Sequence, residues 1–144
     1  PLGDGHESVT RDQDQLPGEE ATQRIEIKLG KMAVSDDFDK NRYADAARTQ
    51  FLNWSLWNNT AWDFAADTRG YTDGLVLGWI NPRWSLRYGV YLMPVEANGT
   101  KLESSPQRAR GEQLELTLQP HGDGAALRLR DAVVLERRFE IGWR

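Results

Sequence analysis

Residues 71–92 run Tyr71-Thr72-Asp73-Gly74-Leu75-Val76-Leu77-Gly78-Trp79-Ile80, then Asn81-Pro82-Arg83, then Trp84-Ser85-Leu86-Arg87-Tyr88-Gly89-Val90-Tyr91-Leu92. Successive side chains of a strand point to opposite faces, so the first run sets Leu75, Leu77 and Trp79 against Gly74, Val76 and Gly78. The second sets Trp84, Leu86, Tyr88, Val90 and Leu92 against Ser85, Arg87 and Gly89. A proline-containing triplet between two such runs is a tight turn, and the pair is a β-hairpin.

The pattern extends in both directions. After a polar loop from Pro94 to Gly111, Leu114, Leu116 and Leu118 alternate with Gln113, Glu115, Thr117 and Gln119; Pro120-His121-Gly122-Asp123-Gly124 then turns, and Ala125 to Arg130 resumes the alternation. Upstream, Ile25, Ile27 and Leu29 alternate with Glu26 and Lys28. Strands are therefore expected near 24–33, 71–80, 84–93, 112–120 and 125–130, in an all-β antiparallel up-and-down meander. Residues 1–23, rich in Gly, Asp, Glu, Gln and Thr without a period, read as a flexible lead-in. Asp131 falls on the face that held Leu127 and Leu129, so 131–144 read as an atypical C-terminal end where the register breaks. With neither an initiator Met nor a basic-then-apolar leader, the chain reads as processed or truncated at its start.

Residues 35–69 mix polar and aromatic side chains with no period of two, and such a length exceeds an ordinary connection. Within this long loop Phe51, Trp54, Ser55 and Asn58 share one face of a short helix, if one forms, with Leu52 and Leu56 on another.

Connections that alternate long, short, long, short place the long ones at one end of a meander, as in outer-membrane barrels. The polar faces hold Glu26, Lys28, Arg87, Glu115, Arg128 and Arg130, while the apolar faces end in Trp79 and Trp84 beside the turn, where an interfacial girdle would lie. A soluble sheet packed on one face produces the same alternation, so the pattern alone leaves both open. Five strands cannot close a spanning barrel, which needs about eight or more, so the membrane reading requires a longer chain.

Composition narrows the function. Eighteen Lys and Arg against 22 Asp and Glu leave a charge of -4, too little basic field for a phosphate backbone, and nucleic acid is excluded as a partner. Zero cysteines remove disulfides, thiolate metal sites and a Cys nucleophile. The two histidines, His6 and His121, lie in separated Gly-rich segments, so no metal and no cofactor is expected. No apolar run is long enough for a spanning helix.

Gly30-Lys31-Met32, Asp37-Phe38-Asp39, Arg48-Thr49-Gln50-Phe51-Leu52-Asn53-Trp54, Trp62-Asp63-Phe64-Ala65-Ala66-Asp67-Thr68-Arg69-Gly70-Tyr71 and Trp84-Ser85-Leu86-Arg87-Tyr88-Gly89 resemble, in order and spacing, the bacterial carbohydrate-selective porins of the OprB type. So does the strand–turn–strand from Leu114 to Arg130, and the likeness covers roughly residues 16–130. The resemblance implies a 16-stranded antiparallel transmembrane β-barrel in the cell outer membrane of a Gram-negative bacterium. Residues 24–130 would be the part around its long constriction loop. It further implies diffusion of mono- or oligosaccharides, no catalytic residues, contact with outer-membrane lipid, and room for a homo-oligomer. The upstream strands and signal peptide of that family are absent, and the sequence beyond Arg130 departs from its pattern.

A sugar offers hydroxyls and apolar C–H faces, so a selective path supplies flat rings to stack on and planar polar groups that exchange hydrogen bonds, each weak enough to release. Segment 42–69 supplies both. Its expected sugar-binding residues are Arg42, Arg48, Asn53, Trp54, Trp57, Asn58, Trp62, Asp63 and Arg69, and the expected pore-lining residues are Lys28, Arg87, Arg128 and Arg130. Taken singly, each Trp is more readily read as core of a folded loop, since large rings are usually buried; it is the segment as a whole that the resemblance turns toward a pore. Two rivals stand beside this reading. A glycoside hydrolase would place two carboxylates about 5 to 10 Å apart, for which Asp36, Asp37 and Asp39, or Asp63 and Asp67, are available. A soluble carbohydrate-binding β-sheet module could use the same Trp and Asn residues on a sandwich face.

Overall fold

The computed structural model describes residues 2–11, 16–39, 44, 46, 49, 50, 65–118 and 131–140. Strands are β1 (His6–Val9), β2 (Gly18–Ala21), β3 (Arg24–Met32), β4 (Thr72–Asn81), β5 (Trp84–Leu92), β6 (Ala109–Leu118) and β7 (Asp131–Glu140). β3 to β7 form one five-stranded sheet in chain order, every neighbouring pair antiparallel. The all-β meander expected from the alternation is what the chain adopts. Each of its strands has 9 or 10 residues, the length that a tilted strand needs to cross a hydrocarbon core.

The register follows the hydrophobic pattern. Leu77 pairs with Tyr88 and Leu75 with Val90, while Gly78 stands opposite Arg87. Ile25, Ile27 and Leu29 pair with Trp79, Leu77 and Leu75, and Leu86 and Tyr88 with Leu116 and Leu114. One continuous apolar face results, because a slip by a single residue would turn every side chain over. At the β4–β5 turn Asn81 pairs with Trp84, and the Arg83 N–H donates to the Asn81 side-chain oxygen at 3.3 Å. The rings of Trp79 and Trp84 meet edge to face at 5.2 Å.

Two regions differ from expectation. The lead-in contains a hairpin, β1 against β2, with His6 opposite Ala21 and Val9 opposite Gly18. Its strands carry no apolar alternation to announce them. Beside the backbone ladder, which the Thr22 N–H extends by donating to the Gly5 carbonyl at 2.9 Å, Arg24 contacts Glu7 at 3.1 Å and Glu20 at 2.7 Å. The fifth strand of the sheet is β7 at 131–140, with Asp131 opposite Leu118, Val133 opposite Leu116 and Leu135 opposite Leu114. Residues 125–130, where the alternation put that strand, lie outside the described residues, as does the turn from Pro120 to Gly124. The break at Asp131 thus marks the start of a strand, whose register sets Val133 and Leu135 opposite leucines of β6 and Arg137 opposite Glu112. The short helix over 51–58 also lies outside the described residues.

The core sits on the polar side of the sheet. After β3 the chain makes a 3-10 turn, Val34–Asp36, closed by the Phe38 N–H donating to the Val34 carbonyl at 3.1 Å. This turn packs onto the inner face. Val34, Phe38, Ala65, Val76, Tyr91 and Met93 form the buried cluster, in which Phe38 and Tyr91 meet edge to face at 6.2 Å. Strand glycines make the seat. A Cβ on Gly89 would meet the Tyr91 ring at 2.6 Å and the Phe38 ring at 2.8 Å, and one on Gly74 would overlap Tyr91. Glycine in a strand interior here marks close approach of another segment.

The opposite face is open. Ile27 is 69% exposed, Leu29 82% and Trp79 52%, while Gln113 and Glu115 on the polar face are 0% and 4%.

Candidate functional site

The inner face of the sheet and the loop laid on it form the candidate site. Polar residues come in register across the strands, Glu26 opposite Gly78, Gly78 opposite Arg87, and Arg87 opposite Glu115. Because Gly78 has no side chain, Glu26 and Arg87 can approach over it, and their charged atoms lie 4.0 Å apart. Arg87 also donates to the Ser85 hydroxyl at 3.4 Å. Arg24 Nε donates to Glu26 at 2.7 Å. Opposite charges therefore alternate from Glu20 through Arg24 and Glu26 to Arg87, tying the β1–β2 hairpin to the wall. Two guanidiniums are thus shared among the three carboxylates of Glu7, Glu20 and Glu26.

Loop residues dock beside this row. Lys28 Nζ donates to Asp37 Oδ1, a pairing of a half-exposed ammonium with a buried carboxylate. Phe38 fills the pocket over Gly89. The Asp39 N–H donates to Glu115 Oε2 at 2.7 Å, and the Thr117 hydroxyl donates to Glu115 Oε1 at 3.1 Å.

The far end of the long loop returns through a second knot. Asp67 Oδ1 accepts the backbone N–H groups of Arg69 at 2.8 Å and Tyr71 at 3.1 Å. Arg69 Nε lies 3.6 Å and Lys31 Nζ 3.9 Å from Asp67 Oδ2. The Tyr71 N–H bond above all, with Arg69 and Lys31 adding to it, holds the Asp67 carboxyl below the usual carboxylate range. Gly70, at φ 87°, makes the turn that lets the carboxylate reach both donors. The Thr68 N–H donates to the Gly99 carbonyl at 3.0 Å, so the two long connections touch at one end of the sheet.

Of the expected pore-lining residues, Lys28 and Arg87 lie on the polar face that the loop covers, and each is engaged: Lys28 anchors the loop and Arg87 joins the charge row. Arg128 and Arg130 lie outside the described residues. Of the expected sugar-binding residues, Arg69 is described, with its guanidinium largely exposed beside Asp67; Arg42, Arg48, Asn53, Trp54, Trp57, Asn58, Trp62 and Asp63 lie outside the described residues. Sequence reasoning named Asp37, Phe38, Asp39 and Glu115 without giving any of them a docking role, and it passed over Tyr91. The glycines on the polar faces of β4, β5 and β6 were the available signal, since a solvated wall has no need of them. Among the described residues no group of His, Cys, Asp and Glu is placed to hold a metal ion.

Strands polar on the side covered by their own inserted loop, and apolar on the side left open, have the cross-section of a porin wall. Residues 13–137, most of the chain, match the family model for the carbohydrate-selective porin, OprB family, and the chain belongs to that family. Its members are diffusion channels rather than enzymes. No curated protein and no solved structure matches the chain.

Proposed function

We propose that the chain is the part of a 16-stranded outer-membrane barrel that carries the constriction loop. The barrel passes mono- and oligosaccharides, and the segment from Arg42 to Arg69 is its sugar-selective element. The observation that carries this reading is the inversion of the sheet: its leucine-rich face is exposed while its glutamine and glutamate face is buried under the loop. A soluble carbohydrate-binding module would have to cover the leucine face with a second layer. Lipid covers it in a barrel.

The loop docks at 33–39 and returns at 65–71, so the stretch between leaves from the inner face and comes back to the long-loop end. Rings and planar polar groups on that stretch suit a neutral, hydroxyl-rich solute, and weak contacts let it leave. In the complete porin reconstituted in planar bilayers, Trp54→Ala or Trp57→Ala is expected to weaken sugar block of the ion current while the barrel still assembles. Arg48→Ala or Arg69→Ala is expected to change sugar block and ion selectivity together, because a guanidinium is always charged. Sugar block and ion selectivity that survive all four substitutions would return the segment to a packed structural loop.

A further inference from the structure

We infer that Glu115 is the positioning residue that aims the constriction segment, and this rests on the constriction reading above. Three consecutive loop residues are gripped by three different strands: Asp37 by Lys28 of β3, Phe38 by the Gly89 and Tyr91 surfaces of β5, and Asp39 by Glu115 of β6. The first two grips hold side chains. The third holds a peptide group, because Glu115 Oε2 accepts the backbone N–H of Asp39 at 2.7 Å across 76 positions of sequence.

That peptide sits where the chain changes direction. Asp39 has φ 57°, in the left-handed region, which L-residues enter at a cost and Asp enters more readily than most. This dihedral sets the direction of the chain at Asp39, at the entry to the proposed constriction segment. The carboxylate is itself fixed: it is 4% exposed, and its second oxygen accepts the Thr117 hydroxyl at 3.1 Å. A buried acceptor with both oxygens committed has one rotamer to offer, so its reach, more than its charge, defines where Asp39 stands.

Length and charge can be separated by substitution. Glu115→Gln keeps the reach: its carbonyl oxygen accepts the Asp39 N–H and its amide donates to Thr117, whose hydroxyl serves equally as acceptor. Glu115→Asp keeps the charge but is shorter by one methylene and cannot span both contacts. Ala44→Cys, at a buried position five residues beyond Asp39, gives a reporter thiol in a sequence with no cysteine of its own, and any cysteine elsewhere in the complete porin is replaced by serine. In the complete porin folded into lipid vesicles, maleimide labelling of that thiol should rise about tenfold with Glu115→Asp, the equivalent of one lost hydrogen bond to a charged acceptor. It should stay at the parent rate with Glu115→Gln, and heat-modifiable gel mobility should report a folded barrel in both. A reporter that stays protected in Glu115→Asp overturns the assignment. So does equal labelling in the two variants, or a Glu115→Asp chain that forms no barrel. Sugar block recorded on the same variants keeps the two readings apart. Faster labelling with unchanged block leaves Glu115 in its positioning role and removes the sugar-selective role of the segment.

Discussion

Ile27 on β3 and Gln113 on β6 belong to opposite faces of one sheet, and their exposures, 69% and 0%, are the reverse of what their side chains would take in a water-soluble protein. The two faces are built by different means. Apolar rows from four strands make the open face continuous, ending at the paired rings of Trp79 and Trp84 near the turn. The covered face is discontinuous, a row of shared charges beside glycine notches that admit Phe38, Tyr91 and Ala65. An outer surface needs only to be apolar to suit lipid, which conforms to it. An inner surface that carries a folded loop needs shape, which is why its specificity lies in glycines and in single hydrogen bonds.

The sharpest way to break this contrast is to put charge on the open face. In the complete porin Leu116→Arg is expected to lower the folding free energy in bilayers by roughly 2 to 4 kcal/mol if the position lies near the midplane. Equilibrium unfolding of the barrel from vesicles measures it, and an unchanged free energy would remove lipid from that face. Next comes shape on the covered face. Gly89→Val puts carbon where the Tyr91 and Phe38 rings stand at 2.6 and 2.8 Å. It should cost about 1 to 3 kcal/mol, as overpacking does, with much of the cost appearing as release of residues 34–38 from the wall. Hydrogen exchange at the Phe38 amide reads that release directly.

These two positions also show how far the molecule was legible in its sequence. Leu116 and its neighbours could be read because alternation is a local signal, and it carried the faces, the β4–β5 turn and the meander. The function of Gly89 could not be read, since nothing local distinguishes a glycine that seats a distant Phe38 from one in a solvated strand. The β1–β2 hairpin was missed because its strands are charged and aperiodic, and neither a backbone ladder nor the Arg24 contacts to Glu7 and Glu20 leave an alternation to read. β7 was not expected because Asp131 interrupts the alternation that runs from Ala125 to Arg130, and pairing is set by the register of the partner strand. Lys28 and Arg87 were placed on the correct face, but their partners Asp37 and Glu26 come from loop docking and from the missing side chain at Gly78.

A smaller effect tests the return of the loop. Asp67 accepts two backbone N–H groups, and the depressed titration of its carboxyl means that the folded loop favours the ionised form. That contribution is fully present above the ordinary carboxylate range and is lost as pH falls through the depressed value. Asp67→Ala should speed hydrogen exchange at the Arg69 and Tyr71 amides severalfold near neutral pH. The difference between parent and variant should close on acidification below the ordinary carboxylate range. A gap that persists in acid would show that the neutral carboxyl still holds the two amides, and no gap at any pH would assign their protection to the turn at Gly70.

The smallest expected effect concerns Gln113, the counterpart of the exposed leucines. Its side chain is fully buried, and among the described residues both amide atoms are without a hydrogen-bond partner. An unpaired buried amide has given up its hydration with nothing in return, so replacing it by an apolar side chain of similar volume removes that penalty. Gln113→Leu should therefore leave the folding free energy within about 1 kcal/mol of the parent, or raise it. Leu116→Gln, the same exchange reversed three residues along the strand on the open face, should destabilise the barrel, because in the proposed barrel an amide there would face hydrocarbon. Measured together, the two variants ask whether the polar character of the covered face is needed for stability at this position. A large loss in Gln113→Leu would show that the amide is paired in the folded porin and belongs to the docking set with Glu115. Near-neutrality would show that the covered face holds its loop through Lys28, Glu115 and the glycine seats alone, and that a glutamine there serves the pore.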